Sequence, residues 1–186
     1  NYPEMKLYGY AFMSNHIHLI VSGNCSDIAH FMAFIKRELS RRLGIKYGFK
    51  GPKWQKRYTS TALPTAASQE ACLKYILSQG VKEKLVSHPF HWPGLHCAEH
   101  LSTGSTPPGQ WLNSTAYKKD MRYQALRLKP QKVNKADYYQ SIPITLFPLP
   151  HWRHLDEEHQ RTRLHEFIQQ IVNTAKEERF RTQGKV

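Results

Sequence analysis

The chain has few cysteines, and its three thiols form no Cys-x-x-Cys pair. An odd number of scattered thiols argues against a disulfide framework and for reduced cysteines, with Cys72 buried in an apolar helical pattern. No apolar run is long enough to span a bilayer, and no signal-peptide pattern appears at the start. We therefore expect a cytoplasmic protein rather than a secreted, disulfide-stapled one or a membrane-spanning one.

Acidic residues are also scarce: 14 Asp and Glu stand against 27 Lys and Arg, so the formal net charge is +13. An excess of this size attracts polyanions, which favours a nucleic-acid partner over a merely solvated basic surface. The charge identifies neither the kind of nucleic acid nor any chemistry. A chain of 186 residues suffices for one domain with a core plus an appendage.

The first strand begins almost at once. Asn1, Tyr2 and Pro3 lead directly into it, and no initiator methionine precedes them. We expect a fragment, or a chain that lacks upstream sequence.

Two strands are predicted at residues 5–12 and 16–22, joined by a tight turn at 13–15. Side chains two apart on a strand share a face, so His16 and His18 point the same way. Two neutral imidazoles this close can share a divalent metal. A pair of surface histidines on a sheet is the alternative interpretation.

The middle of the chain alternates helix, strand and helix. The first helix, 26–43, is capped by Ser26 or Asp27 and stops at Gly44, and its basic flank includes Arg41 and Arg42. A strand is predicted at 54–61. The second helix, 68–83, is capped by Ser68, and its inner stripe comprises Cys72, Leu73, Ile76 and Leu77. Tyr75 and Gln79 lie one turn apart on its flank, which alone indicates only half-buried packing.

The remainder is divided by Pro and Gly. Residues 88–109 are predicted to be a loop, 110–150 to be irregular, and 156–180 to form a last helix. Its apolar stripe must pack on another part of the chain, so we expect the helix to be docked. The stripe comprises Leu164, Phe167, Ile168, Ile171 and Val172. The predicted organisation is a first domain at 1–95, an irregular extension at 96–150 and a C-terminal helical region at 151–186.

Three segments, taken in order, resemble one known family. They are Tyr10 to Val21, with His16-Ile17-His18; Trp54-Gln55-Lys56-Arg57-Tyr58; and Cys72 to Gln79. The first is similar to the HUH motif region of single-tyrosine transposases, with Met-Ser-Asn where Met-Pro-Asn is usual. The second resembles the family's Trp-Gln-Arg-Arg-aromatic strand, and the third the helix that bears the catalytic tyrosine. Leu85-Val86 and Trp92-Pro93-Gly94 are similar to REP-associated tyrosine transposases in particular.

The resemblance implies a fold, a nucleophile and a metal site. The fold is α+β, a ferredoxin-like antiparallel sheet with packed helices, here apparently without its first strand and helix and with a helical C-terminal extension. Tyr75 is the implied nucleophile, and His16, His18 and Gln79 are the implied ligands of Mg²⁺ or Mn²⁺. The implied activity is cleavage and rejoining of single-stranded DNA beside hairpin repeats through a 5′-phosphotyrosine.

The resemblance also implies DNA as a partner, a possible homodimer, no membrane, and a bacterial, nucleoid-associated location. Basic and aromatic groups are the candidate DNA contacts: Lys53, Trp54, Lys56, Arg57, Arg41 and Arg42. The alternative interpretation of Trp54 is that it faces the core from the predicted strand instead of stacking on a base. Two other functions stay open, a non-catalytic domesticated hairpin-DNA-binding protein and another HUH nuclease, such as a replication initiator. The positions of Trp54 and Trp92 argue against the initiator.

A second group of metal-ligand residue types follows the second helix. It comprises His88, His91, His96, Cys97 and His100. Their spacing matches no common zinc-finger pattern, so we interpret the group as a histidine-rich loop.

Overall fold

A computed structural model of the chain describes residues 4–48 and 50–183. It confirms the predicted α+β class. The strands are β1 (Lys6–Phe12), β2 (Ile17–Ser22), β3 (Gln110–Leu112) and β4 (Tyr139–Ser141), and the helices are α1 (Cys25–Tyr47), α2 (Ala66–Ser78), α3 (Ala98–Thr103), α4 (Ser114–Ala125) and α5 (Glu157–Gln183). Short 3₁₀ helices lie at Pro89–His91, Lys135–Tyr138 and Pro150–Trp152.

The chain forms two compact units. The first combines residues 1–104 with 146–186, and the second comprises 105–145. The first unit contains the β1–β2 hairpin and helices α1, α2, α3 and α5. The second contains the β3–β4 pair and α4. The segment predicted to be irregular, 96–150, therefore contains helices and strands, because its polar, Pro-punctuated sequence still pairs Gln110, Trp111 and Leu112 with Ser141, Gln140 and Tyr139.

The β1–β2 hairpin follows the sequence prediction closely. The strands are antiparallel, with Ala11 opposite His18 and Phe12 opposite Ile17. The Met13 amide donates to the His16 carbonyl at 2.9 Å, which closes the predicted tight turn. Since β2 begins at Ile17, His16 lies immediately before the strand rather than within it.

The second edge of β1 is covered by later parts of the chain. The Phe12 amide donates to the Leu95 carbonyl at 2.8 Å, and the Cys97 amide donates to the Tyr10 carbonyl at 3.0 Å. Nearer the start of the strand, the Phe147 amide donates to the Leu7 carbonyl at 2.8 Å. These bonds tie residues of the predicted loop, Leu95 and Cys97, and of the segment predicted to be irregular, Phe147, to the strand that precedes the histidine pair.

Helix α1 is longer than predicted at both ends. Its N-cap is Asn24, whose side chain accepts from the Asp27 amide, so neither Ser26 nor Asp27 caps it. Gly44 lies inside the helix, which stops instead at Gly48 in the left-handed conformation. A glycine inside a helix costs only about 1 kcal/mol relative to alanine, so it does not by itself end the helix.

The prediction of a strand at 54–61 is wrong, because this segment has no regular structure. A strand needs a partner, and in the described ranges none pairs with these residues. The segment is anchored on α1 instead. The Trp54 indole nitrogen donates to the Lys36 carbonyl at 3.0 Å and to the Ser40 hydroxyl at 2.9 Å, and the Lys36 ammonium donates to the Lys56 carbonyl at 2.8 Å.

Helix α2 occupies a different range from the predicted 68–83. It begins after Thr65, which caps it in a capping box that places Ser68 at the third helical position. It ends at Ser78, because Gly80 adopts a positive φ of 82° and the chain turns away. The predicted inner stripe is buried at Leu73, Ile76 and Leu77, while Cys72 is half-buried.

The predicted docking of the last helix is confirmed. Helix α5 packs on α2 and α3, and it buries Leu164, Ile168 and Ile171. Asp156 precedes the helix and accepts from the His159 amide at 2.8 Å, as an N-cap does. The core thus places α2 between the hairpin and α5, and α5 fixes α2 against the strands. No helix in the described ranges is long and apolar enough to cross a membrane.

His96 links the covered edge of β1 to α2. Its Nε2 donates to the Ile76 carbonyl at 3.2 Å, and its Nδ1 accepts from the Ala98 amide at 3.1 Å. Burial lowers the pKa of His96, although the bond to Ile76 opposes this lowering. The folded protein therefore binds a proton here less readily than the unfolded chain.

We predict that this histidine contributes to destabilisation by acid. The free energy of unfolding should fall as pH drops below the unfolded-state pKa, near 6.5, towards the lower folded-state pKa. In His96→Gln, the amide still donates to Ile76 but does not titrate. Urea unfolding at about pH 8 and about pH 5.5 should show a smaller loss for the variant than for the wild type. Equal losses would contradict this assignment.

Candidate active site

The two motif histidines are adjacent at the start of β2. Their ring centroids lie 4.7 Å apart, edge to face. His16 Nδ1 lies 2.6 Å from the Asn15 side-chain oxygen, which can only accept, so Nδ1 carries the proton. The Nε2 atom of His16 is then the unprotonated nitrogen, and a bond of this kind fixes the tautomer of a metal-binding histidine.

The candidate nucleophile lies beside the pair. The Tyr75 ring centroid is 5.3 Å from that of His18, and the residue is 44% exposed. Helix α2 comes this close to the hairpin because Gly9 of β1 has no side chain. A Cβ there would lie 3.0 Å from Leu73 Cδ1. The sequence therefore lets Leu73 rest on the strand and brings Tyr75, two residues later, to the histidines.

Gln79 reaches the same place from the end of α2. It is the C-cap rather than a residue of the helix, and it is only 1% exposed. Its side-chain nitrogen donates to the Tyr75 carbonyl at 3.1 Å. The amide nitrogen is therefore committed to the helix end, and the amide oxygen is the atom available as a ligand.

His18 has an unsatisfied buried nitrogen. Its Nε2 is buried and has no hydrogen-bond partner among the described residues. Burial lowers the pKa of His18, the nearby His16 lowers it further, and the Gln79 side chain partly offsets both effects. A neutral imidazole with a bare, buried nitrogen is the form that binds a metal ion. The residues present therefore fit a divalent ion.

The candidate ligands include no acidic residue. Within residues 4–48 and 50–183, no group of three or more His, Cys, Asp or Glu side chains is placed to hold a metal. His16 and His18 with the Gln79 amide oxygen are not such a group, because glutamine is not one of these four residue types. A third protein ligand would therefore have to come from Gln79. Mg²⁺ and Mn²⁺ prefer oxygen ligands, and the amide supplies one from the protein.

A positive charge that could not be predicted from the sequence lies over the candidate nucleophile. The Lys82 ammonium is 4.9 Å from the centroid of the Tyr75 ring. Nothing in the local sequence marks this lysine among its neighbours, because its position depends on the turn after α2. The Lys82 amide donates to the Ser78 carbonyl at 2.9 Å, which ties the turn to the end of the helix.

The turn that carries Lys82 is closely packed. Val81 is 2% exposed, and the amides of Leu85 and Val86 both donate to the Gly80 carbonyl. Gly80 combines a positive φ with a close approach to Trp92, whose Cε3 would lie 2.9 Å from a Cβ. Trp92 itself donates to the Phe12 carbonyl at 3.0 Å. This packing fixes the backbone of Lys82 relative to Tyr75.

The residues predicted to contact DNA lie on α1 and on the segment after it. Arg41 and Arg42 lie on α1 and pair with Glu38 at 2.6 and 3.9 Å. Trp54 is half-buried with its indole nitrogen bonded to α1, which favours an anchoring role. Lys56 and Arg57 are exposed, and the Lys53 ammonium donates to the Gly51 carbonyl.

The second group of histidines has structural partners. His88 caps the 3₁₀ helix at Pro89–His91, with Nδ1 accepting from the Phe90 amide at 3.2 Å. His91 lies 3.3 Å from the Ser87 hydroxyl, and Cys97 is fully buried. Burial also raises the pKa of the Cys97 thiol to about 12, so it stays protonated.

Comparison with known proteins identifies the segment that contains the site. Residues 2–79 match the family described as transposase IS200 like. This part of the chain resembles an IS200-like transposase. The matched range includes His16, His18, Tyr75 and Gln79, and it ends before Lys82. No curated protein and no solved structure matches the chain.

Proposed function

We propose that the protein is a DNA transposase that cleaves and rejoins single-stranded DNA beside hairpin repeats through a 5′-phosphotyrosine on Tyr75. One observation carries the proposal: the His16–His18 pair and Tyr75 converge within one chain, with ring separations of 4.7 and 5.3 Å, and the Gln79 side chain is close enough to His18 to act on its pKa. The transposase family match over residues 2–79 supports the same activity.

His16, His18 and Gln79 are the residues that would hold a divalent cation. Such an ion would polarise a non-bridging oxygen of the scissile phosphate and offset the developing charge. The chain prepares these ligands in different ways. Asn15 fixes the tautomer of His16, burial lowers the pKa of His18, and the Tyr75 carbonyl orients the Gln79 amide.

The covalent step is a transfer of the phosphoryl group to the tyrosine. The Tyr75 oxygen attacks phosphorus, the bond to the 3′ oxygen breaks, and that oxygen leaves as a 3′-hydroxyl. The phenol gives up its proton and the 3′ oxygen gains one, so the step needs no water and no external energy source. Attack by a 3′-hydroxyl on the phosphotyrosine reverses these changes and joins the strands.

Exposed cations suit a negatively charged substrate, and one of them lies at Tyr75. Lys82 lies over the nucleophile, and Lys56 and Arg57 are exposed on the segment held by α1. We assign Lys82 to the scissile or neighbouring phosphate. Leu85-Val86 and Trp92-Pro93-Gly94 resemble REP-associated members, and this resemblance supports hairpin repeats as the target. Val86 and Trp92 pack against Gly80 in the turn that carries Lys82.

The proposal is tested by incubating the protein with end-labelled hairpin DNA and Mn²⁺. We expect a labelled, protease-sensitive adduct that does not form with chelator. A protein that binds the hairpin without forming an adduct, at any metal concentration tried, would be a binding protein and not a transposase.

Lys82 provides a sharper test of the same site. Lys82→Gln removes the charge while retaining length, and we expect the rate of adduct formation at saturating DNA to fall about tenfold or more. Lys82→Arg should restore most of it. Lys84→Gln is the matched control, because it removes an equal charge from the same turn. A similar effect of both Gln variants would assign the loss to general electrostatics.

A further inference from the structure

The second unit carries a concentration of positive charge that the active site does not use. Residues 105–145 contain seven Lys and Arg but only two acidic residues, Asp120 and Asp137, giving a net charge of +5. In the described part of this unit no ion pair joins a basic side chain to either carboxylate. The Asp120 carboxylate accepts from the Tyr138 hydroxyl at 2.6 Å, and that of Asp137 accepts from the Asn134 amide at 3.3 Å.

Helix α4 separates a packed face from an exposed one. Its packed face meets the 3₁₀ helix at Lys135–Tyr138, with the Tyr117 and Tyr138 rings 5.4 Å apart. Asp120 lies on this face and is held by Tyr138. The opposite face therefore presents cations without an acidic residue among them.

The exposed face of α4 combines cations with an aromatic ring. Lys119, Arg122, Tyr123 and Leu126 follow the spacing of one helical face, and Lys118 adjoins them. Tyr123 is 61% exposed, and the Arg127 guanidinium lies 5.7 Å from its ring centroid. Cations that can hold phosphates beside an aromatic ring that can stack on a base are the combination used to bind single strands.

We propose that this face of α4 is a second DNA-binding surface, which holds the single-stranded flank of the hairpin substrate. The proposal rests on the proposed function for the identity of the substrate, hairpin DNA. It does not depend on the covalent reaction at Tyr75. Lys118, Lys119 and Arg122 contact phosphates, and Tyr123 stacks on a base. The surface therefore adds affinity and leaves the covalent step to the first unit.

Binding of the full chain to two labelled DNAs tests the proposal. One is a hairpin with a single-stranded flank, and the other is the same hairpin with a blunt end. Replacing Lys118, Lys119 and Arg122 together by Gln should weaken binding to the flanked hairpin about tenfold or more at moderate salt and reduce the salt dependence of binding. Binding to the blunt hairpin should change less than about twofold. Tyr123→Leu should weaken only the flanked complex, about fivefold or more.

The matched control removes the same charge elsewhere. Arg153, Lys176 and Arg181 are exposed outside the second unit, and their triple replacement by Gln should leave the preference for the flank intact. An equal loss in this control, an equal loss on the blunt hairpin, or no loss in the α4 variant would each overturn the proposal. If the α4 variant lost no affinity, we would assign this face to a partner other than DNA.

Adduct formation separates this inference from the proposed function. At saturating DNA, the α4 triple variant should form the adduct at the wild-type rate. If the wild type forms no adduct but binds the flank through α4, the proposed function fails and the second surface stands. If the adduct forms normally and the α4 substitutions make no difference to binding, the proposed function stands and the second surface fails.

Discussion

Tyr75→Phe is expected to reduce covalent adduct formation at least about 10³-fold, while hairpin binding changes less than about twofold. The substitution removes only the oxygen that attacks phosphorus. No hydrogen bond joins the Tyr75 hydroxyl to another of the described residues. The ring should therefore keep its contacts with His18 and Lys82, and the free energy of unfolding should not fall.

Tyr139→Phe is the matched control, since Tyr139 is exposed to the same extent as Tyr75, 44%. Both variants should be compared by denaturing gel, for the adduct, and by fluorescence anisotropy, for binding. An adduct at normal yield from Tyr75→Phe would show that another residue is the nucleophile.

The second large effect is expected at His18. His18→Leu should reduce metal-dependent adduct formation at least about 10²-fold, because the site loses a ligand. The metal-free variant should nevertheless be as stable as the wild type, or more stable. The buried Nε2 of His18 has no hydrogen-bond partner among the residues that the structure describes, and an unsatisfied buried polar atom costs about 1–3 kcal/mol.

Calorimetric unfolding with and without Mn²⁺ tests this explanation directly. The ion should raise the unfolding temperature of the wild type, as any ligand of the folded state does, and should leave that of His18→Leu unchanged. His30→Leu, at an exposed position on α1, is the control and should respond to Mn²⁺ like the wild type. A loss of stability in metal-free His18→Leu would show that His18 is a structural residue.

The hairpin and the interior face of α2 could be predicted because residues close together in the sequence determine them. Alternation identifies β2, and helical spacing identifies the buried Leu73, Ile76 and Leu77. The approach of Tyr75 to the histidines was implied by resemblance to a family. Its physical cause, the contact between Gly9 and Leu73, is not visible in the sequence.

The errors arise where a distant residue determines local structure. Residues 54–61 have strand-like composition, but Trp54 bonds to α1 and none of the described strands pairs with the segment. Gly80 was expected inside a helix, yet its packing against Trp92 turns the chain and leaves Gln79 as a cap. The same turn places Lys82 over Tyr75, so one unforeseen bend explains both the shortened helix and the missed cation.

The central claim is that the oxygen of Tyr75 becomes bonded to the 5′ end of cleaved DNA. Mass spectrometry of the digested adduct tests it most directly, after the protein has reacted with hairpin DNA and Mn²⁺. One modified peptide is expected, with Tyr75 linked to the 5′-phosphate and a free 3′-hydroxyl on the released strand. A linkage at any other residue, or to a 3′-phosphate, would contradict it.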